Sequence, residues 1–275
     1  MDPRAIGVFD SGVGGLTVFH ALERALPSES MVYLGDTARV PYGTRSAETV
    51  VRYSLEAVRF LERQRVKMVV VACNTASSVA LDALRAAASV PVVGVIEPGA
   101  RRAVEASASG RIGVIGTRAT VASGAYKRAI QALHPQAEVL SQACPLFVPL
   151  AEEGWTDDEV ARSVARAYLE PFRRAGVDVL VLGCTHYPLL RRVIGEIMGP
   201  KVALVDSAES VAAEVGGLLG GAPALAARGG AATPEHHFYV TDAPEPFQVV
   251  AERFLGRTIR CLEWASLDAP VRTGS

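Results

Sequence analysis

Short apolar runs alternate with longer amphipathic stretches along most of this chain. The first alternations are AIGVFD with GGLTVFHALERAL, MVYLGD with SAETVVRYSLEAVRFLERQ, KMVVVAC with TASSVALDALRAAA, and VPVVGVIEP with GARRAVEASA. A strand, a helix and a further strand favour parallel pairing, because the helix returns the chain to the start of the sheet and covers one face. The pattern predicts an α/β fold with mostly parallel sheets flanked by helices.

The alternation restarts near the middle of the chain, which predicts a second α/β unit. Its runs are RIGVIGT, ASGAYKRAIQALHP, EVLSQACP, TDDEVARSVARAYLEPFRRAG, VDVLVLGC and LVDSAESVAAEVGGLL. The segment IGVFDSG at Ile6 matches IGVIGTR at Ile112, and Cys73 matches Cys184 at a similar spacing. These correspondences favour duplication over chance. We predict two pseudo-symmetric domains with the active site in the cleft between them.

The repeat also suggests where the domains begin and end. We predict a first domain of residues 1–97 completed by residues 207–275, and a second domain of residues 98–206. A strand at HHFYVTD and a helix at PFQVVAERFLG would return the chain to the first domain. The Gly/Ala-rich stretch 216–232 before them is predicted to be a flexible loop.

Charge and hydropathy limit the partners of this chain. Its 275 residues include 28 basic and 29 acidic ones, which gives a net charge of -1 and no basic field for nucleic acid. It has no run of about 18 apolar residues that would span a membrane, and its start, MDPRAIGVFDSG, lacks the pattern of a signal peptide. We predict a soluble cytoplasmic protein that binds neither nucleic acid nor membrane.

The four cysteines are the most informative reactive residues. Cys73, Cys144, Cys184 and Cys261 are widely spaced without a CxxC pair, so free thiols are expected. Cys73 and Cys184 each end an apolar run, in VVVACNTA and VLVLGCTHYP, and polar residues follow at once. A single such cysteine is usually a small buried apolar residue, but two in matching places favour chemistry. Cys144 and Cys261 lack these neighbours and are interpreted as core or surface residues.

Ligands of open α/β sheets bind beyond the carboxyl ends of the strands. The polar residues predicted at these ends are Asp10, Ser11, Asp36, Tyr42, Gly43, Cys73, Asn74, Thr75, Glu97, Thr117, Cys184, Thr185 and His186. Simpler roles stay open for some of them. Asp10 suits a cap for the helix near Leu16, and His186 suits a structural hydrogen bond. The Glu152 and Glu153 pair suits a solvated loop unless it reaches the cleft.

A thiol at a helix N-terminus is expected to have a lowered pKa and to act as a base, a nucleophile or a metal ligand. Cys73, Cys184 and His186 lack the compact spacing of a zinc site. Acyl transfer needs one activated cysteine and leaves the second unexplained. Two matched thiols instead suit a carbon acid that is deprotonated on one face and reprotonated on the other.

No cofactor is predicted. Pyridoxal phosphate would need a lysine at the ligand end of the fold. Lys67 and Lys201 lie at predicted strand beginnings, and Lys127 lies in a predicted helix. The chain also lacks a convincing dinucleotide fingerprint. A reaction without cofactor or metal is the simplest interpretation.

A family resemblance supports this chemistry. The motifs that carry it are GVFDSGVGGLTV, YLGDTARVPYGTRS, VVACNTAS, GVIEPG, GVIGTRAT, PLAEEGW, LGCTHYPLL and LVDSAE, between Ile6 and Glu209. In this order they resemble the glutamate racemases of the aspartate/glutamate racemase superfamily. The resemblance implies cofactor-independent racemisation of glutamate between two α/β domains, a cytoplasmic role in supplying D-glutamate for peptidoglycan, and a homodimer.

The resemblance also implies roles for individual residues. Cys73 would be the base toward D-glutamate and Cys184 the base toward L-glutamate, assisted by Asp10, His186 and Glu152. The residues implied in substrate binding are Asp10, Ser11, Tyr42, Gly43, Asn74, Thr75, Thr117, Thr185 and His186. Two alternatives stay open, a racemase for another acidic amino acid such as aspartate, and a two-domain binding protein without turnover.

Overall fold

The computed structural model describes residues 2–220 and 234–267. Its strands are β1 (Ile6–Asp10), β2 (Met31–Gly35), β3 (Met68–Val71), β4 (Val92–Gly94), β5 (Arg111–Gly116), β6 (Glu138–Ala143), β7 (Val179–Gly183), β8 (Ala203–Asp206), β9 (His236–Val240) and β10 (Leu262–Trp264). Its helices are α1 (Leu16–Ala25), α2 (Ala47–Arg63), α3 (Asn74–Val79), α4 (Leu81–Ala87), α5 (Ile96–Ala106), α6 (Arg118–Ser123), α7 (Ala125–Leu133), α8 (Phe147–Glu153), α9 (Glu159–Ala175), α10 (Arg191–Met198), α11 (Ser207–Leu218) and α12 (Pro244–Leu255).

The strands form two parallel sheets. The first has six strands in the order β10-β9-β2-β1-β3-β4, and the second has four in the order β6-β5-β7-β8. Every neighbouring pair is parallel. The order β2-β1-β3-β4 recurs as β6-β5-β7-β8, which makes β1 the counterpart of β5 and β3 the counterpart of β7. The predicted α/β class with two pseudo-symmetric domains is confirmed.

Apolar residues on both faces of the central strands hold the helices against the sheets. In the first sheet Ile6 and Val8 belong to one buried cluster, whereas Phe9 belongs to the cluster on the opposite face. This alternation follows from the two-residue period of a strand. It explains why central strands such as β3 and β7 are continuous apolar runs, as expected where both faces are covered.

The C-terminal segment returns to the first sheet, because β9 pairs with β2 along its whole length. The exact domain boundaries at residues 97, 98, 206 and 207 stay a prediction. No helix within the described parts of the chain is both long and apolar enough to span a membrane.

Three local predictions differ from the structure. Gly216 to Leu218 are helical, as the end of α11, although the stretch 216–232 was expected to be a loop; residues 221–233 lie outside the described residues. The helix expected after Cys73 is interrupted at Ala80, between α3 and α4. Helix α5 begins at Ile96, earlier than expected, because a proline in the first helical turn, here Pro98, costs no hydrogen bond.

Candidate active site

A cavity of about 220 Å³ lies where the carboxyl ends of the two sheets face each other. Its lining residues are Ser11, Gly12, Val40, Pro41, Tyr42, Gly43, Thr44, Cys73, Asn74, Thr75, Thr117, Arg118, Pro145, Val148, Pro149, Glu152, Cys184, Thr185 and His186. Both strand-end cysteines therefore border one cavity. Asp10 is fully buried at the end of β1 and is not among the lining residues.

Cys73 follows the end of β3 and occupies the N-cap position of α3. Its thiol donates to Ser11 Oγ at 3.4 Å, and its Sγ accepts from the backbone N–H of Ala76 at 3.5 Å. Burial and, next, the charge of Asp10 raise the pKa of Cys73 to about 12, although the two hydrogen bonds act in the opposite direction. The lowered pKa expected at a helix N-terminus is wrong for this cysteine. Cys73 is held as a thiol, ready to donate a proton.

Asp10 is buried at the end of β1, near enough to Cys73 to raise the pKa of its thiol. Its Oδ2 accepts the backbone N–H of Gly12 at 2.9 Å. Burial raises the pKa of Asp10, whereas the charge of His186 opposes that rise. Helix α1 begins at Leu16 without a side-chain cap, so the capping role considered for Asp10 is not present.

Cys184 has a different environment, although it follows β7 as Cys73 follows β3. Its Sγ lies 3.8 Å from Nδ1 of His186, and Nε2 of His186 lies 2.9 Å from Oε1 of Glu152. Burial alone would lower the pKa of His186, but the hydrogen bonds with Cys184 and Glu152 raise it to about 10. The imidazole is therefore protonated at neutral pH, which places a positive charge beside the sulfur of Cys184.

The two thiols thus have opposite electrostatic surroundings. A buried carboxyl group, Asp10, stands beside Cys73, whereas an imidazolium, His186, stands beside Cys184. The first environment favours a protonated thiol at Cys73, and the second places a positive charge beside the sulfur of Cys184. Such a pair is suited to removing a proton on one side of the cavity and supplying one on the other.

Polar side chains from both domains complete the cavity. Thr75 Oγ1 lies 3.0 Å from Thr117 Oγ1 and 3.2 Å from Thr120 Oγ1, so hydroxyl groups bridge α3 and the start of α6. Asn74 is buried and holds two hydrogen bonds. The hydroxyl of Tyr42 donates to Asp36, which leaves the ring and backbone of Tyr42 to line the cavity.

Two of the wider set of sequence candidates lie elsewhere. Glu97 forms a bidentate ion pair with Arg85 and does not line the cavity. Asp36 lies behind Tyr42, where Thr241 and Arg39 also bind it. Like the lining residues, Glu97 and Asp36 are polar residues near strand ends, so the sequence alone does not distinguish the two groups. The paths of their loops place these two side chains outside the cavity.

Several lining residues carried no chemical signal in the sequence. The apolar members of this group are Val40, Pro41, Pro145, Val148 and Pro149. They come from the loop after β2 and from the start and first turn of α8. Apolar residues in loops exclude water from a site, but their sequence pattern does not distinguish them from other loop residues. Arg118, which also lines the cavity, could have been found from its position directly after Thr117.

The structure also bears on the alternatives that involve metals and cofactors. The described residues contain no group of three or more His, Cys, Asp or Glu side chains arranged to hold a metal ion. Lys67 pairs with Glu29, and none of Lys67, Lys127 and Lys201 lines the cavity. Cys144 is buried and Cys261 is exposed, and neither is a lining residue, as the sequence indicated.

Comparisons with known proteins agree with one another. The family model for Asp/Glu/Hydantoin racemase matches residues 6–215. A glutamate racemase of Geobacter metallireducens is 58% identical over 97% of this chain and 98% of its own. The crystal structure of a Bacillus anthracis glutamate racemase isoform has a TM-score of 0.91 at 40% identity, covering 98% of this chain and 100% of that one. A Francisella tularensis glutamate racemase, solved in complex with D-glutamate, has a TM-score of 0.88 at 39% identity, covering 98% and 99%.

Proposed function

Because the chain belongs to the Asp/Glu/Hydantoin racemase family and is an isomerase of the amino-acid racemase class, we propose that it interconverts L- and D-glutamate with two cysteine thiols. The observation that carries this proposal is the placement of Cys73 and Cys184 at matching strand ends on one cavity. The relatives named above are glutamate racemases, which supports glutamate over aspartate as the substrate.

The proposed reaction removes one proton from the α-carbon of the substrate and adds another to the opposite face of that carbon. With L-glutamate bound, the Cys184 thiolate takes the α-proton, and the electron pair of the broken C–H bond passes into the adjacent carboxylate. The Cys73 thiol then gives its proton to the opposite face of the carbon and becomes a thiolate. D-glutamate leaves with the same atoms and charge as the substrate, and the reverse reaction exchanges the roles of the two thiols.

The surrounding charges support this direction of proton movement. His186, held by Glu152, is placed to stabilise negative charge on Cys184 when that sulfur acts as the base. Burial and Asp10 keep the proton on Cys73 until the carbanion forms. The resting protein is therefore prepared to accept the L-enantiomer. After turnover the protonation states are inverted and must be restored by the reverse reaction or by exchange with solvent.

The remaining site residues are proposed to hold the substrate. Ser11, Asn74, Thr75, Thr117 and Thr185 offer hydroxyl and amide groups for its carboxylates and ammonium. Tyr42 and Gly43 contribute through the loop after β2, and Asp10 and His186 contribute charge. This assignment follows the family resemblance, and the presence of all but Asp10 on the cavity wall supports it.

We also propose the cellular context from the family resemblance. The protein would act in the cytoplasm as a homodimer, and its D-glutamate would feed peptidoglycan synthesis and so cell-wall formation. Light scattering on the purified chain measures the oligomeric state directly.

Incubation with L-glutamate and, separately, with L-aspartate tests the function. We expect optical rotation to decay to zero with glutamate and to stay constant with aspartate, in buffer without cofactor. Cys73→Ala and Cys184→Ala serve as inactive variants, because each turnover needs one thiol as base and the other as acid. Decay with aspartate alone would indicate an aspartate racemase, and decay with neither substrate would indicate a binding protein.

A further inference from the structure

Tyr126 joins the surroundings of the two cysteines, although it lies in α7 and does not line the cavity. Its hydroxyl donates to Oδ1 of Asn74 at 2.7 Å. Asn74 directly follows Cys73 in the chain. Tyr126 is 2% exposed and Asn74 is also 2% exposed, so water does not compete for this hydrogen bond.

The ring of Tyr126 is fixed as firmly as its hydroxyl. A Cβ on Gly183 would come within 3.0 Å of its Cε2, and a Cβ on Gly99 would come within 3.2 Å of its hydroxyl oxygen. Both glycines therefore leave room for this ring, and Gly183 is the residue before Cys184. The side chain of Tyr126 therefore contacts both the end of β7, which precedes Cys184, and the start of α3, which follows Cys73.

The amide of Asn74 has a second partner. Its Nδ2 donates to Oγ of Ser207 at 3.3 Å. Ser207 is 1% exposed and opens α11 within the LVDSAE motif, to which the catalytic proposal gives no role. A hydroxyl can donate or accept, but the phenol of Tyr126 is a stronger donor and a weaker acceptor than the aliphatic hydroxyl of Ser207. This difference favours the orientation with Oδ1 toward Tyr126 and Nδ2 toward Ser207. Nδ2 has two N–H bonds, and within residues 2–220 and 234–267 only the bond to Ser207 is satisfied.

We propose that Tyr126 is a positioning residue, whose hydroxyl acts with that of Ser207 to orient the Asn74 amide so that its second N–H binds a carboxylate oxygen of the substrate beside Cys73. The inference rests on the proposed racemisation of glutamate. A rotated amide would present its oxygen to the carboxylate instead, and two acceptors repel each other. Tyr126 thus acts on substrate binding through Asn74 without touching the substrate.

Steady-state kinetics of Tyr126→Phe tests this role, because the change removes the hydroxyl and keeps the ring. We expect KM for glutamate to rise by roughly 2- to 12-fold, the net value of one hydrogen bond, with a smaller change in kcat. Tyr168→Phe is the matched control, since the hydroxyl of Tyr168 accepts from the backbone N–H of Leu146 and does not contact Asn74, and we expect an unchanged KM. Ser207→Ala provides a second variant that removes the other partner of the amide, and we expect the same direction.

A double-mutant cycle separates positioning from a general structural effect. In the background of Asn74→Ala, the Tyr126→Phe change should leave KM unaltered, because the amide that it orients is gone. An unchanged KM in both Tyr126→Phe and Ser207→Ala would overturn the positioning role and leave the proposed function standing. So would a rise in KM on Tyr126→Phe that is equally large with and without the Asn74 side chain. Absence of glutamate turnover by the unaltered protein would overturn the proposed function and this inference with it.

Discussion

Nε2 of His186 lies 2.9 Å from Oε1 of Glu152, on the side of the ring opposite to Cys184. The glutamate is half-exposed, whereas the imidazole is buried. This contact lets a carboxylate at the cavity edge sustain a positive charge deep inside it. The imidazolium in turn lies beside the sulfur of Cys184, which the proposed first step uses as its base.

Glu152→Gln should move the alkaline limb of the pH–rate profile to lower pH. The pKa of His186 is about 10, so the ring is protonated below that pH and loses its proton as pH rises through it. Removal of the Glu152 carboxylate removes one of the contributions that raise this pKa, and the ring then loses its proton at lower pH. Glu153→Gln is the control, because it makes the same charge change at an exposed neighbour. An alkaline limb that stays in place would show that His186 does not depend on Glu152.

Asp10→Asn and His186→Asn should lower turnover more than they weaken binding. Acid/base groups typically contribute about 10²–10⁴-fold to rate, and each of these residues sets the charge beside one thiol. Because L- and D-glutamate have equal free energies, kcat/KM must fall equally in the two directions, whereas kcat alone can fall unequally. Measurement of kcat and KM from both enantiomers tests this.

Asp178→Asn is the control for these variants. Asp178 accepts from Ser107, Ala108 and Ser109 in a loop away from the cavity. We expect this change to lower stability and to leave kcat unaltered. A wild-type kcat in Asp10→Asn and His186→Asn would show that these two side chains do not assist the thiols and have structural roles instead.

Gly14→Ala should strongly reduce activity. A Cβ at Gly14 would lie 2.4 Å from Thr185 Oγ1 and 2.5 Å from His186 Nδ1. The loop after β1 would have to move away from the residues after Cys184, and a displacement of about 1 Å in an active site can cost roughly 10²-fold in rate. Gly217→Ala is the control, because a Cβ there meets nothing within 4 Å and alanine is the better helix former by about 0.5–1 kcal/mol. Equal activity in the two variants would contradict the close contact.

Dialysis against a chelator should leave turnover unchanged, and added pyridoxal phosphate, NAD or divalent metal should not raise it. The reason is the set of groups at the cavity, where thiols, an imidazole and carboxyl groups can move protons without further chemistry. Turnover before and after dialysis measures this. A loss of activity that a metal ion restores would contradict it.

The convergence of Cys73 and Cys184 could be predicted from two steps: parallel strands present their carboxyl ends at one edge of each sheet, and the two matched units were expected to face each other across a cleft. The same rule predicted that Asn74, Thr75, Thr117, Thr185 and His186 would gather there. Within each sheet the rule depends only on the order of the apolar runs and on the residues that follow each run, whereas the meeting of the two sets depends on the internal repeat. The chemistry at the strand ends is therefore visible in the sequence once the strands are recognised.

Residues outside strand ends could not be predicted in this way. Whether Glu152 or Glu153 reaches the cavity depends on the rotation of α8 about its axis, which the residue pattern alone does not determine. Tyr126 lies in an ordinary amphipathic helix, and nothing in its neighbours indicates a contact with Asn74. The raised pKa of Cys73 depends on its burial beside Asp10, and that overrides the effect expected from its place at a helix start.

Deuterium incorporation during the first turnovers in deuterated water tests the two-thiol mechanism most directly. The unaltered protein is given L-glutamate, and mass spectrometry follows the α-position of both enantiomers. Because Cys73 exchanges its proton with solvent before it donates, the account predicts deuterium in nearly every D-glutamate molecule formed, while the remaining L-glutamate stays largely unlabelled. Early D-glutamate without deuterium would mean that one group returns the same proton to the other face, and it would contradict separate roles for Cys184 and Cys73.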